Sequence, residues 1–100
     1  MRYKIKLINY DYGDPLTPHD DSPSEIYENR NVAHLVILEM ARDLVRYLND
    51  DESITFRTME DDSLRYRVDL DGDAEAIVRY WYENNEDYCV ISTYTIEEVE

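Results

Sequence analysis

The densest run of oxygen ligands in the chain is Asp69-x-Asp71-Gly72-Asp73-x-Glu75, and the chemistry it suggests is calcium binding. An EF-hand loop needs glycine at its sixth position and a bidentate glutamate at its twelfth. Counted from Asp69, those places hold Ala74 and Tyr80, so the run reads as a turn followed by a helix cap. Cys89 lies in strand-like sequence at an outward parity, with no histidine near it, which makes it a passive thiol. His19 and His34 have no ligand spacing between them. No carboxylate pair stands out for acid–base work. The expectation is therefore no enzyme, no metal and no cofactor.

What remains is charge. Twenty-four acids against ten bases give a formal net charge of −14. Such an excess destabilises the compact state by self-repulsion, so it points either to a salty cytoplasm or to a use for the field. Binding nucleic acid directly is disfavoured, because phosphate contacts supply most of that affinity. The expected partner is a basic protein surface, met by the protein as a monomer or homodimer. The chain is no disordered acidic tail: 43% of it is hydrophobic and ten residues are tyrosine. Tyrosine is enriched at interfaces, and Tyr10, Tyr12 and Tyr27 flank the most acidic loop.

One hundred residues make one domain. With Cys89 as the only cysteine, a reducing compartment is expected. The alternating start, Arg2 to Ile8, is unlike a signal peptide, and no apolar run reaches membrane-spanning length. A cytoplasmic location follows, in a host cell if the protein comes from a phage.

The elements that must position the charges follow from periodicity. Tyr3, Ile5 and Leu7 alternate with Arg2, Lys4 and Lys6, predicting a strand. Residues 10–24 are a long polar, acidic loop. It ends at Ser22-Pro23-Ser24-Glu25, which has the pattern of an N-cap, a first-turn proline and a capping-box glutamate. A helix should follow, interrupted near Asn29–Asn31 and strong from Val32 to Leu48. Residues 53–58 and 63–70 alternate as a hairpin about Glu60-Asp61-Asp62, aiming Ile54, Phe56, Leu64, Tyr66, Val68 and Leu70 at one face. Ala74, Ile77, Val78 and Trp81 have helical spacing after Asp73, although Ile-Val-Arg-Tyr-Trp-Tyr is also good strand sequence. Residues 88–96 make a last strand with Tyr88, Val90, Tyr94 and Ile96 inward. The order β-α-β-β-α-β predicts an α+β, ferredoxin-like fold, with helices on one face of an antiparallel sheet. The alternative turns 74–84 into a strand and leaves one long helix on the sheet.

On the first reading, one end of the sheet gathers Asp11, Asp14, Asp20, Asp21, Glu25, Glu28, Glu60, Asp61, Asp62, Glu83, Glu86 and Asp87. These acids, without Glu28, are the expected contact residues, together with Tyr10 and Tyr12. The other end holds Asp50, Asp51, Glu52, Asp69, Asp71, Asp73, Glu75, Glu97, Glu98 and Glu100, leaving only Glu39 and Asp43 along the helix. Arg2, Lys4, Lys6, Arg57, Arg65 and Arg67 fall on the open sheet face, which offers no aromatic at matching positions. Small size, extreme acidity, interleaved tyrosines and no catalytic residues resemble the phage-encoded anti-CRISPR and anti-restriction proteins, a resemblance of composition that carries no residue roles. It implies an inhibitor that presents fixed carboxylates to a nucleic-acid-binding cleft. The competing expectation is a regulatory or interaction module from a halophile, suggested by eight arginines against two lysines amid abundant acid.

Overall fold

The alternating start forms β1 (Arg2–Tyr10), with Ile5 and Leu7 buried and Arg2 and Lys6 exposed. The computed structural model describes residues 1–99. Glu100, and the side chain of Tyr12, lie outside the described residues. A short 3-10 turn (Asp11–Gly13) and a three-residue edge strand, β2 (Pro18–Asp20), occupy the segment expected to be all loop. Then come α1 (Arg30–Asn49), the one α-helix among the described residues, β3 (Tyr66–Asp69), β4 (Ala76–Trp81) and β5 (Tyr88–Val99). The five strands form one antiparallel sheet in the order β2-β1-β5-β4-β3. This is the one-helix alternative, and the ferredoxin-like layout is not found.

The correction lies at residues 74–84. Ala76 and Val78 face α1, while Ile77 is buried on the opposite side. With Ala76, Ile77 and Val78 buried in succession, the start of the segment reads as a continuous apolar run, which mimics helical spacing. Pairing with β3 on one side and β5 on the other satisfies its backbone and settles the matter.

α1 begins later than the capping-box pattern suggests. Ser22 Oγ instead accepts from Leu7 N–H (2.9 Å) at the sheet edge, and Tyr27 and Tyr3 exchange backbone hydrogen bonds. Asn29 is the N-cap, its side chain accepting from Asn31 N–H. Ala33, Ile37, Ala41 and Val45 form the buried stripe, spaced four apart, and the two alanines let α1 approach the sheet closely. They pack against Ile5, Leu7, Val68, Ala76, Val78 and Tyr94. Burying a side chain such as Ile37 contributes about 1.5–3 kcal/mol.

The expected strand at 53–58 is also absent. Residues 53–65 run as successive turns, with Ile54 and Met59 plugging the core and Phe56 turned outward beneath Arg42 (4.4 Å to the ring centroid). Val68 N–H donates to Met59 C=O (3.0 Å), so this segment covers the outer edge of β3. In β5 the register shifts between Val78 and Arg79 of its partner strand. Tyr94 and Ile96 keep the inward parity, but Tyr88 pairs with Trp81 and is exposed, and Val90 pairs with Arg79 on the face away from α1. Among the described residues, no helix is long and apolar enough to cross a membrane.

Candidate functional site

Three acid-acid-serine tripeptides recur: Asp20-Asp21-Ser22, Asp51-Glu52-Ser53 and Asp61-Asp62-Ser63. Each closes the same local turn. Ser22 N–H and Oγ–H donate to Asp20 Oδ1 (3.0 and 2.6 Å), and Ser53 N–H and Oγ–H donate to Asp51 Oδ1 (2.9 and 2.6 Å). Ser63 N–H donates to Asp61 Oδ1 (2.8 Å). Aspartate favours such turns because its short side chain reaches the backbone two residues on. Hydrogen bonds to the charged form favour that form. The Ser22 hydroxyl and then its N–H hold Asp20 below the usual carboxylate range, and those of Ser53 do the same for Asp51. For Asp61 the Ser63 N–H leads, followed by the Ser63 hydroxyl and the Arg67 charge. The repeat was visible in the sequence and is the signal that reading by elements missed.

The expected acidic end does not exist as one surface. Asp11, Asp14, Asp20 and Asp21 lie beside β1 and β2, where Asp11 pairs with His19 (2.9 Å) and Asp21 accepts from Asn9 (2.7 Å). Glu60, Asp61 and Asp62 flank the far edge, beside β3. At about 4.8 Å per strand, the two groups are some four spacings, roughly 19 Å, apart. Glu83, Glu86 and Asp87 occupy the β4–β5 turn, and Glu25 precedes the Tyr27 bridge at the opposite end of β1. Tyr27 itself packs against the core. Burial, then the Glu25 charge, pushes its phenol up.

The fold instead joins acids from the two expected ends. Asp51 and Asp61 line one cavity of about 250 Å³ with Ser53, Thr58 and Ser63. Next along the β3 edge, Glu60, Asp62, Asp69 and Asp71 line another of about 210 Å³ with Arg67 and Trp81. Among the described residues, only Asp11, Glu39, Asp43, Asp69, Glu75 and Glu97 are drawn into ion pairs. The calcium-like run is divided. Asp69 is held by Arg79 on the sheet face away from α1, and Glu75 by Arg30 and His34 of the helix.

That sheet face also differs from expectation. Arg2, Lys4 and Lys6 do lie on it, with Lys6 3.8 Å from Glu97. Arg57 sits in the irregular segment, and Arg65 donates to the Trp81 and Tyr82 carbonyls before β3 begins. Aromatics are present because β4 is a strand. Arg67 lies over the Trp81 ring (4.3 Å) and Arg79 over that of Tyr88 (4.6 Å), and the Trp81 and Tyr88 rings meet tilted at 46° (4.8 Å). Arg67 is 7% exposed, buried rather than displayed.

Tyr10 lines a third cavity, about 370 Å³, with Gly13, Pro15, Tyr88 and Cys89. Gly13 has φ +72°, and a Cβ there would sit 2.5 Å from Cys89 Sγ, so the close approach needs glycine. Cys89 is thus packed under the 3-10 turn rather than turned outward. Compared with known proteins, the chain matches no family model, no curated protein and no solved structure.

Proposed function

We propose that this protein is an acidic inhibitor that imitates nucleic acid. It would act in the cytoplasm and occupy a basic, nucleic-acid-binding surface of a defence or nucleic-acid-processing complex. The observation that carries this reading is the pair of serine-locked aspartates, Asp51 and Asp61, facing one cavity at the β3 edge with Glu60 and Asp62 beside them. Carboxylates fixed by backbone and hydroxyl donors stay ionised and ordered before a partner arrives. Little side-chain entropy is then lost on docking. Their unbalanced charge speeds and orients the approach of a basic groove. The β3 edge is favoured over the β1–β2 edge because two serine-locked aspartates meet there, whereas Asp20 is alone at the other edge and its neighbour Asp11 is paired with His19.

The test is capture from a bacterial lysate at low salt on the immobilised protein, eluted with duplex DNA or RNA. The expected result is release of a nuclease, restriction enzyme or repair enzyme by nucleic acid. Replacing Asp51 and Asp61 with asparagine keeps the turn acceptors while removing charge, and should abolish capture with the fold intact. Capture that nucleic acid does not compete, or that survives both substitutions, would refute mimicry. A fold that collapses in dilute buffer would point to the halophilic module instead.

A further inference from the structure

The Arg67–Trp81 cavity has a feature that charge display does not require. Arg67 is more than nine-tenths buried, yet among the described residues its Nη1 has no hydrogen-bond partner, and neither has the buried indole Nε1 of Trp81. A buried donor left unmet is costly, more so on a cation. Both residues line the same cavity of about 210 Å³, whose other walls include the carboxylates of Glu60, Asp62, Asp69 and Asp71. Asp69 is engaged by Arg79. The remaining three have no cation within ion-pair distance among the described residues.

The complement of such a site carries an acceptor for the two donors and a positive charge for the carboxylates. A phosphate or a lone carboxylate fits the first and is repelled by the second. One basic residue of a peptide meets both, through its main-chain carbonyl and its cationic side chain. The volume agrees, being below the ~300–1,000 Å³ of pockets for drug-sized ligands. We propose that this cavity is a socket for a single arginine or lysine of the basic partner. The residue's carbonyl oxygen accepts from Arg67 and Trp81, and its charge lies among Glu60, Asp62 and Asp71. Both donors are shielded from the cavity in the unliganded fold, so the Arg67 guanidinium and the Trp81 indole must turn together toward the entering carbonyl. The socket deepens the reading above and rests on it for the nature of the partner, but it can be tested on the protein alone.

Trp81 is the only tryptophan, so intrinsic fluorescence reports on the site directly. The probe is N-acetyl-arginine N-methylamide, titrated to about 10 mM, since one residue should bind with a dissociation constant on the order of 1 mM. The expected result is a saturable change in Trp81 emission. The citrulline analogue, neutral but nearly isosteric, should bind about tenfold more weakly or worse, reflecting loss of a charge-assisted contact. Asp62→Asn and Asp71→Asn are exposed, conservative changes, and each should weaken the arginine probe several-fold with thermal unfolding unchanged. No saturable change, an equal response to the citrulline probe, equal affinity in both variants, or a stronger response to inorganic phosphate would each overturn the socket. If the socket fails while nucleic acid still competes for captured protein, the mimic reading stands without it. If the probe binds but no captured protein yields to nucleic acid, the socket stands and mimicry falls.

Discussion

Replacing Glu75 with glutamine should destabilise the fold in a pH-dependent way, and the structure sets both the size and the window. α1 opens with Arg30, and its first turn carries no acid, a poor match to the partial positive charge of a helix N-terminus. Glu75, just before β4, supplies the missing carboxylate. It accepts from Arg30 and lies 2.8 Å from His34 Nδ1, with its side chain only 18% exposed. Burial pushes the Glu75 carboxyl up, but hydrogen bonds from His34 and Arg30 outweigh it and hold the group below its ordinary 4.5. Each charge-assisted bond to a buried group contributes about 1.5–3 kcal/mol. Arg30 is 52% exposed, so its share is discounted toward a surface pair. Glutamine also keeps part of the hydrogen bonding, leaving a net loss of about 1–2 kcal/mol, or roughly 4–16 °C in Tm. Because the folded pKa is depressed, this stabilisation is complete above the unfolded value of 4.5 and fades as pH falls through the folded one. Urea unfolding of both proteins from pH 7 to pH 3 measures it. The gap should be constant at neutral pH and close below 4.5. A gap that persists unchanged at pH 3, or no destabilisation at pH 7, would refute the argument.

Two further outcomes follow. Tyr94 is 2% exposed, and burial pushes its phenol up to about 12 against a smaller lowering influence of Ser92. The unfolded chain ionises near 10 and the folded one does not, so stability should fall by about 3 kcal/mol between pH 10 and pH 12. Tyr94→Phe should remove that share of the alkaline slope in denaturant titrations, leaving the part due to Tyr27 and Tyr82, whose phenols are also pushed up. An unchanged slope would refute the assignment to Tyr94. Asp50 ends α1 in the left-handed region (φ 51°), with its N–H bonded to the Arg46 and Tyr47 carbonyls. Asp50→Gly should therefore raise stability by about 1 kcal/mol. Asp50→Asn, which removes the charge but keeps a side chain, should gain less, and an equal gain would show that charge, not backbone, is responsible.

Local pattern alone determined β1, the strong part of α1 and the turn chemistry of the acidic segments. In each, the deciding forces act between residues a few positions apart: strand alternation, helical spacing, an aspartate reaching its own backbone. The recurrent acid-acid-serine turns belong to this class, although it is the tertiary fold that brings two of them to one cavity. Tertiary structure decided everything that depends on pairing. The stretch from Ala76 to Trp81 carries apolar residues on both sides, so its own spacing suits a helix or a strand, and neighbours β3 and β5 chose the strand. That choice carried Arg79 and Trp81 onto the sheet face beside Arg67. The β5 register shift brought Tyr88 to the same cluster. Covering β3 with an irregular segment, rather than pairing it with the expected strand at 53–58, carried Glu60, Asp61 and Asp62 away from the loop acids and toward Asp51. A one-residue shift in a ladder reverses every side chain beyond it. The net charge was therefore fixed by composition, but the surface on which it gathers was set by long-range strand pairing.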